Sequence, residues 1–265
     1  MDHSTPSTKA IIKEAASLAF NPKNIIKELF HMQLGRGLYI IFLLLIQLCS
    51  FFIIYTPHHL SIAPDTTFIG LLGLFSGITG ILNVTIEADG KITNYFWAIL
   101  NNVSYIYISF VSYLYGEVYL NLYFLVLEFI GIYTWTAKNM KSDSETKNVV
   151  ESKSLSFKGW FILIILFAIS WFGMGIFLLH VPFISTTLDP HPWLDALSAI
   201  VQFYAMALMV MRYGSSQWLL WNIANMAEII LWILSFNPIM VAFYVVSLTN
   251  SIYGWYKWTY ILKQN

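Results

Sequence analysis

The sequence predicts an all-α polytopic membrane helix bundle of about eight transmembrane helices, and three observations predict it. Of the 265 residues, 58% are hydrophobic and only 11% are charged, with a mean hydropathy of +0.66, far from the balance of a water-soluble domain. The apolar residues fall into runs of about 20, the length a helix needs to cross the hydrocarbon core. All fourteen Lys and Arg residues sort onto one side of the loops that join those runs.

The runs lie near 37–56, 67–86, 94–113, 118–137, 159–180, 194–213, 217–236 and 239–262. The boundary between the third and fourth rests on the short Tyr115-Gly116-Glu117 turn signal alone. No charged, apolar, small-residue leader precedes the first run, so that span is expected to stay in the mature protein. Ahead of it, Asn21-Pro22 reads as an N-cap followed by proline at the first helical position. Ile25, Ile26, Leu29 and Phe30 then make an apolar face beside Lys23 and Lys27, as expected of an interfacial amphipathic helix.

Charge placement sets the orientation, because cytoplasmic loops are enriched in Lys and Arg. With both termini inside, Lys9, Lys13, Lys23, Lys27, Arg36, Lys91, Lys138, Lys141, Lys147, Lys153, Lys158, Arg212, Lys257 and Lys263 all fall on the cytoplasmic side. The opposite loops then carry only His58, His59, Asp65, Glu117, His180, Asp189 and His191. The mixed-charge stretch around 141–153 reads as a flexible linker. A net charge of zero gives no electrostatic reason to expect nucleic acid. The single cysteine, Cys49, excludes an intramolecular disulfide and a thiolate metal site.

Two anchors recur at similar separation. Trp97 precedes Asn101 by four residues as Trp218 precedes Asn222, and a Gly-x-Tyr-x-Trp block ends both span 4 (Gly131, Tyr133, Trp135) and span 8 (Gly254, Tyr256, Trp258). Such self-similarity predicts duplicated three-helix units. Two parallel copies of an odd number of spans need one inverting span between them, which span 5 supplies. The chain then divides into an amino-terminal amphipathic segment (1–36), an extra first span (37–66) and a first three-helix repeat (67–137). A linker with the inverting span (138–193) and a second three-helix repeat (194–265) follow. This is one extra N-terminal helix plus a 3+1+3 parallel repeat, an arrangement that places a ligand site between the repeats.

Polar side chains inside spans need partners or a wet cavity. They are Asn83, Asn101, Asn102, Tyr105, Glu128, Ser198, Gln202, Asn222, Asn225, Glu228 and Asn250. Trp218, Asn222, Asn225 and Trp232 share one helical stripe with Trp221 at its border, and Asp195, Ser198 and Gln202 make another. Amides among aromatic faces suit a flat heteroaromatic ring bearing an amide or hydroxyls. Each amide also has a plainer reading as interhelical glue, contributing about 0.6 to 2 kcal/mol. Glycines of span 2 (Gly70, Gly73, Gly77, Gly80) read as positions of close helix approach. No metal-binding histidine spacing, phosphate loop or nucleophile elbow appears, so an enzyme is not expected and no cofactor is implied.

The cluster Asp195, Gln202, Arg212, Trp218-x-x-Trp221-Asn222-x-x-Asn225, Tyr244 and Ser251 through Trp258 resembles the PnuC family of bacterial vitamin transporters, the nicotinamide riboside permeases. The resemblance covers nearly all of the chain after the N-terminal helix. It implies a fold similar to SWEET sugar transporters with a full 3+1+3 topology, a homotrimer in the bacterial inner membrane, and facilitated diffusion followed by cytoplasmic phosphorylation that traps the substrate. A sister group resembles thiamine transporters, whose substrate is also cationic, aromatic and hydroxylated. The candidate substrate-binding set is Trp218, Trp221, Asn222, Asn225, Gln202, Asn101, Tyr105, Glu128, Asn250 and Tyr253. Glu128 is the candidate counter-ion, and aligning the Gly-x-Tyr-x-Trp blocks puts Ser251 opposite it.

Overall fold

In the computed structural model, residues 7–30, 34–55, 67–141, 154–180, 188–211 and 213–261 are described. Ten α-helices and one π-helical turn make up this part of the chain. Two short helices come first, α1 (Thr8–Ala19) and α2 (Pro22–Phe30). The eight long ones are α3 (Leu34–Tyr55), α4 (Thr67–Ala88), α5 (Asn94–Val111), α6 (Tyr115–Lys141), α7 (Phe157–His180), α8 (Pro192–Val210), α9 (Gly214–Leu234) and α10 (Pro238–Tyr256). The π-helical turn, Lys257–Ile261, continues α10.

The eight predicted spans therefore correspond one to one with long helices. Six of them, α3, α4, α6, α7, α8 and α9, are long and apolar enough to cross a membrane by length and composition. The other two, α5 and α10, fall short of that combined length and composition requirement. His58, His59, Asp65, Lys147, Lys153, Arg212, Lys263 and most of the linker lie outside the described residues.

Local chemistry starts several helices where the sequence places them. Asn21 Oδ1 accepts from Lys23 N at 3.0 Å, with Pro22 at the first helical position of α2. Asn237 Oδ1 accepts from Met240 N at 3.2 Å, with Pro238 opening α10. Helix α1 was not legible as a separate element; Ser7 caps it, accepting from Ala10 N at 3.3 Å. Its small residues Ala15 and Ala19 pack on Tyr95, Ile132 and Trp135. In α2, Ile25 is buried, whereas Ile26 and Phe30 are exposed.

Six helices close a ring, each packed on the next in the order α4, α5, α6, α8, α9, α10 and back to α4. Helix α7 lies outside it against α8, and α3 lies outside it against α4 and α10. Helix association in lipid relies on close packing and hydrogen bonds rather than on water exclusion. The glycines of α4 serve the packing: a Cβ at Gly80 would sit 2.5 Å from the Phe243 ring, and one at Gly77 would overlap Gln47.

One turn geometry occurs twice. After α5, Tyr113 adopts φ 60°, its amide bonds to Phe110 O at 3.2 Å, and Leu114 N reaches back to Ser109 O at 2.9 Å. After α9, Phe236 adopts φ 53°, its amide bonds to Ile233 O at 3.1 Å, and Asn237 N reaches back to Trp232 O at 3.0 Å. Both are left-handed helix ends that reuse orphan carbonyls, built here on an aromatic residue instead of glycine.

Candidate functional site

The ring lines a cavity, and every helix of the ring contributes to its wall. Helix α4 supplies Asn83, Val84 and Glu87; α5 supplies Asn94, Asn101, Asn102 and Tyr105; α6 supplies Asn121, Phe124 and Glu128. Helix α8 gives Gln202, Met206 and Met209; α9 gives Trp218, Trp221 and Asn225; α10 gives Phe243, Tyr244, Ser247, Asn250 and Ser251. No lysine, arginine or histidine is among them.

Eight of the ten candidate residues line this cavity: Trp218, Trp221, Asn225, Gln202, Asn101, Tyr105, Glu128 and Asn250. Asn222 and Tyr253 do not. Asn222 stands behind the wall, where its Oδ1 accepts from Ser251 Oγ at 2.6 Å, and Ser251 in turn accepts from Asn225 Nδ2 at 3.1 Å. Tyr253 faces the basic end of the bundle, with its ring centroid 4.6 Å from the Arg36 guanidinium carbon and 5.8 Å from Lys257 Nζ.

Two cavity carboxylates are present where one was expected. The apolar run read as span 2 stops at 86, so Glu87 was left in a loop; it is buried in the last turn of α4. The same error placed Glu117 in an outer loop. It lies in the first turn of α6, fully buried, and accepts from Ser198 Oγ at 3.0 Å. Asn94 and Asn121 were also missed, and a search for amides in the helix ends would have found both.

At the end of the bundle away from the basic residues, hydrogen bonds knit the ring together. Tyr105 Oη lies 2.7 Å from Tyr244 Oη and accepts from Trp232 Nε1 at 2.8 Å. Tyr105 also donates to Glu228 at 3.4 Å, and Gln202 Nε2 donates to the same carboxylate. Asp195 accepts from Gly116 N at 2.7 Å, and a Cβ on Gly116 would meet that carboxylate.

At the basic end the last carbonyls of α4, orphaned by helix termination, receive donors from other helices. Arg36 Nη2 donates to Thr85 O at 2.7 Å and Trp258 Nε1 to Ala88 O at 3.3 Å. Asn250 Nδ2 donates to Val84 O at 2.8 Å and its Oδ1 accepts from Arg36 at 3.4 Å. Asp89 pairs with Arg36 at 3.2 Å and with Lys257 at 2.8 Å. Trp218 is 2% exposed and packs against Trp258 and Ala88. A Cβ at Gly254 would sit 2.7 Å from its ring, so this glycine is what admits the indole.

Several polar atoms on the wall have no protein partner among the described residues: Asn83 Oδ1, Glu87 Oε1, Asn94 Oδ1, Glu128 Oε2, Ser247 Oγ and the indole Nε1 of both Trp218 and Trp221. Buried polar groups are normally satisfied, so these atoms are available to a polar ligand. Among the described residues no cluster of His, Cys, Asp or Glu is arranged to hold a metal ion.

A closed ring of helices around an amide-rich cavity, with six membrane-length helices among the described residues, has the form of a membrane transporter. The family model described as nicotinamide mononucleotide transporter matches residues 70–260. A nicotinamide riboside transporter PnuC from Haemophilus influenzae is 36% identical over 194 residues, 73% of this chain and 81% of that protein. The nicotinamide riboside transporter PnuC of Neisseria mucosa is 30% identical over 201 residues, 73% of this chain and 74% of that protein. A crystal structure of the vitamin B3 transporter PnuC superposes with a TM-score of 0.70 at 27% identity, covering 90% of this chain and 97% of that one. The chain belongs to the PnuC family of membrane transporters.

Proposed function

We propose that this chain carries nicotinamide riboside across the bacterial inner membrane by facilitated diffusion. The family description names a mononucleotide and the relatives name a riboside; the two ligands differ by a phosphate. The composition of the cavity wall favours the riboside. It offers amides, two indoles and the carboxylates Glu87 and Glu128, with no basic side chain to receive a phosphate. Of the basic groups at the nearby end of the bundle, Arg36 and Lys257 are each paired with Asp89. A pyridinium ring suits indole faces and carboxylate counter-charges, and the carboxamide and ribose hydroxyls suit amides.

Binding to the purified protein tests this reading with nicotinamide riboside, its mononucleotide and thiamine. The riboside is expected to bind at least about a hundredfold more tightly than the mononucleotide, the scale of leaving a phosphate dianion unpaired beside carboxylates. Equal affinity for the mononucleotide, or a preference for thiamine, overturns it.

Passive transport fits the placement of acids. Glu117, Asp195 and Glu228 sit at one end, whereas Glu87 and Glu128 line the cavity. Glu117 and Glu128 are eleven residues apart on α6, about 16 Å along the axis, too far for direct proton transfer. The membrane potential, about 2.3 kcal/mol per charge per 100 mV, draws a cation inward, and phosphorylation in the cytoplasm completes trapping. Proteoliposomes with voltage clamped should equilibrate the substrate; uphill accumulation on an imposed pH gradient rules out the facilitator.

The basic end faces the cytoplasm in this proposal, with both termini, and the assembly is a homotrimer. In a Cys49-free background, an impermeant thiol reagent should leave Ser144→Cys unlabelled in intact cells. The ring is read as two three-helix units, α4 to α6 and α8 to α10, joined by α7. The twin turns at Tyr113 and Phe236 support that reading.

A further inference from the structure

The cavity wall repeats itself with one substitution of charge. Asn102 Nδ2 donates to Glu128 Oε1 at 3.5 Å across α5 and α6, and Asn225 Nδ2 donates to Ser251 Oγ at 3.1 Å across α9 and α10. The two pairs are related by a shift of 123 residues, 102 to 225 and 128 to 251. The same shift carries Tyr113 onto Phe236 in the twin turns. It also carries Gly131 onto Gly254, each glycine pressed against an aromatic ring, Tyr95 in the first unit and Trp218 in the second. Tyr105 and Glu228, likewise 123 residues apart, touch one another at 3.4 Å; equivalent positions meet only where the axis relating the units passes. The Gly-x-Tyr-x-Trp blocks thus give the register, and Asn102, not Asn101, is the counterpart of an amide on α9.

Within this symmetric scaffold the polar groups are not shared evenly. Ser251 is satisfied on both sides, accepting from Asn225 and donating to Asn222. Glu128 keeps Oε2 buried without a partner. Both carboxylates of the wall, Glu87 and Glu128, come from the first unit, and both indoles, Trp218 and Trp221, from the second.

We infer that Glu128 is the specificity-determining residue that makes this site prefer a cationic ring to its uncharged counterpart, and that a carboxylate acts equally at the equivalent position, 251. The inference rests on the riboside reading above and adds the part of the wall that senses charge. A carboxylate facing a cation in a lipid-buried cavity contributes strongly, because removing one member of such a pair leaves the other uncompensated. It contributes little to a neutral ring of the same shape. Positions 128 and 251 both lie on the wall of this one cavity, so a carboxylate moved to 251 still faces a ligand held there.

The test measures dissociation constants of nicotinamide riboside and of its uncharged dihydro form in the purified protein, for the parent, Glu128→Gln, Glu128→Ser and the exchange variant Glu128→Ser with Ser251→Glu. Both single variants are expected to weaken the cation by about tenfold or more, and to change the dihydro form by less than about threefold. The exchange variant is expected to regain most of the lost cation affinity. An unchanged ratio between the two ligands in folded Glu128→Gln overturns the assignment. An exchange variant that folds and regains nothing overturns the equivalence of the two positions. If the parent binds neither ligand, the riboside reading itself falls, which a loss confined to the variants does not imply.

Discussion

Helices α7 and α9 have nearly the same length and opposite destinies. The most apolar window of α7 has hydropathy 2.6 and is 11% buried, whereas that of α9 has hydropathy 1.2 and is 50% buried. In a water-soluble protein the ranking runs the other way, because water expels the most apolar surface. In lipid the solvent is itself apolar, so what is gathered inside is polarity: amides, hydroxyls and carboxylates that hydrocarbon cannot satisfy. Phe161, Ile164, Ile169 and Phe172 of α7 are largely exposed, while Trp218, Asn225, Glu228 and Trp232 of α9 are buried.

The comparison can be broken most directly at Trp218. Trp218→Ala empties a site that Gly254 and Ala88 close around, and should cost about 3–5 kcal/mol of stability along with most of the ligand affinity. A thermal midpoint within error of the parent would mean that α9 is no better packed than α7. Next in size, Gly254→Val forces a side chain into the space of the Trp218 ring, at about 1–3 kcal/mol; ligand binding should fall with stability, whereas binding that survives intact would show that the indole is free to move aside.

Smaller still, and sharper, is the contrast between two amides of α9. Asn225→Ala removes a cavity-wall group and should weaken binding by about tenfold, while Asn222→Ala acts only through Ser251 and should cost about 0.6–2 kcal/mol of stability with a lesser loss of affinity. Isothermal titration of both variants decides it; equal affinity losses would put Asn222 in contact with the ligand. Last, Ile169→Ala on α7 should change the unfolding free energy by no more than about 0.5 kcal/mol, and a loss like that at Trp218 would place α7 in a protein interface.

Most helices were legible because crossing a membrane demands a long apolar run, and a run of 20 is hard to misread. What blurred was the ends. A hydropathy window stops at the first charge, so Glu87 and Glu117 were both assigned to loops although each is buried inside a helix. Here a charge at the edge of a span belongs to the buried helix: Glu87 lines the cavity and Glu117 accepts from Ser198. Helix α1 escaped notice because its buried stripe, Ile11, Ala15 and Ala19, is mostly of small residues, whose role shows only against the partner surface at Tyr95 and Trp135. Eight candidate residues reached the cavity because polarity inside a span is a reliable pointer. Asn222 and Tyr253 show its limit: spacing gives a helical face, but not which neighbour that face meets.

Helix α6, at 27 residues, measures about 40 Å, against a hydrocarbon core of about 30 Å. The surplus is at its carboxyl end, where Ile132 and Trp135 receive α1. A span longer than its membrane answers a change of thickness by tilting or by standing further out. Either response carries α1 with it, and the same helix bears Asn121, Phe124 and Glu128. A change of bilayer thickness that tilts α6 would therefore shift the α1 docking surface and the Glu128 side of the cavity together.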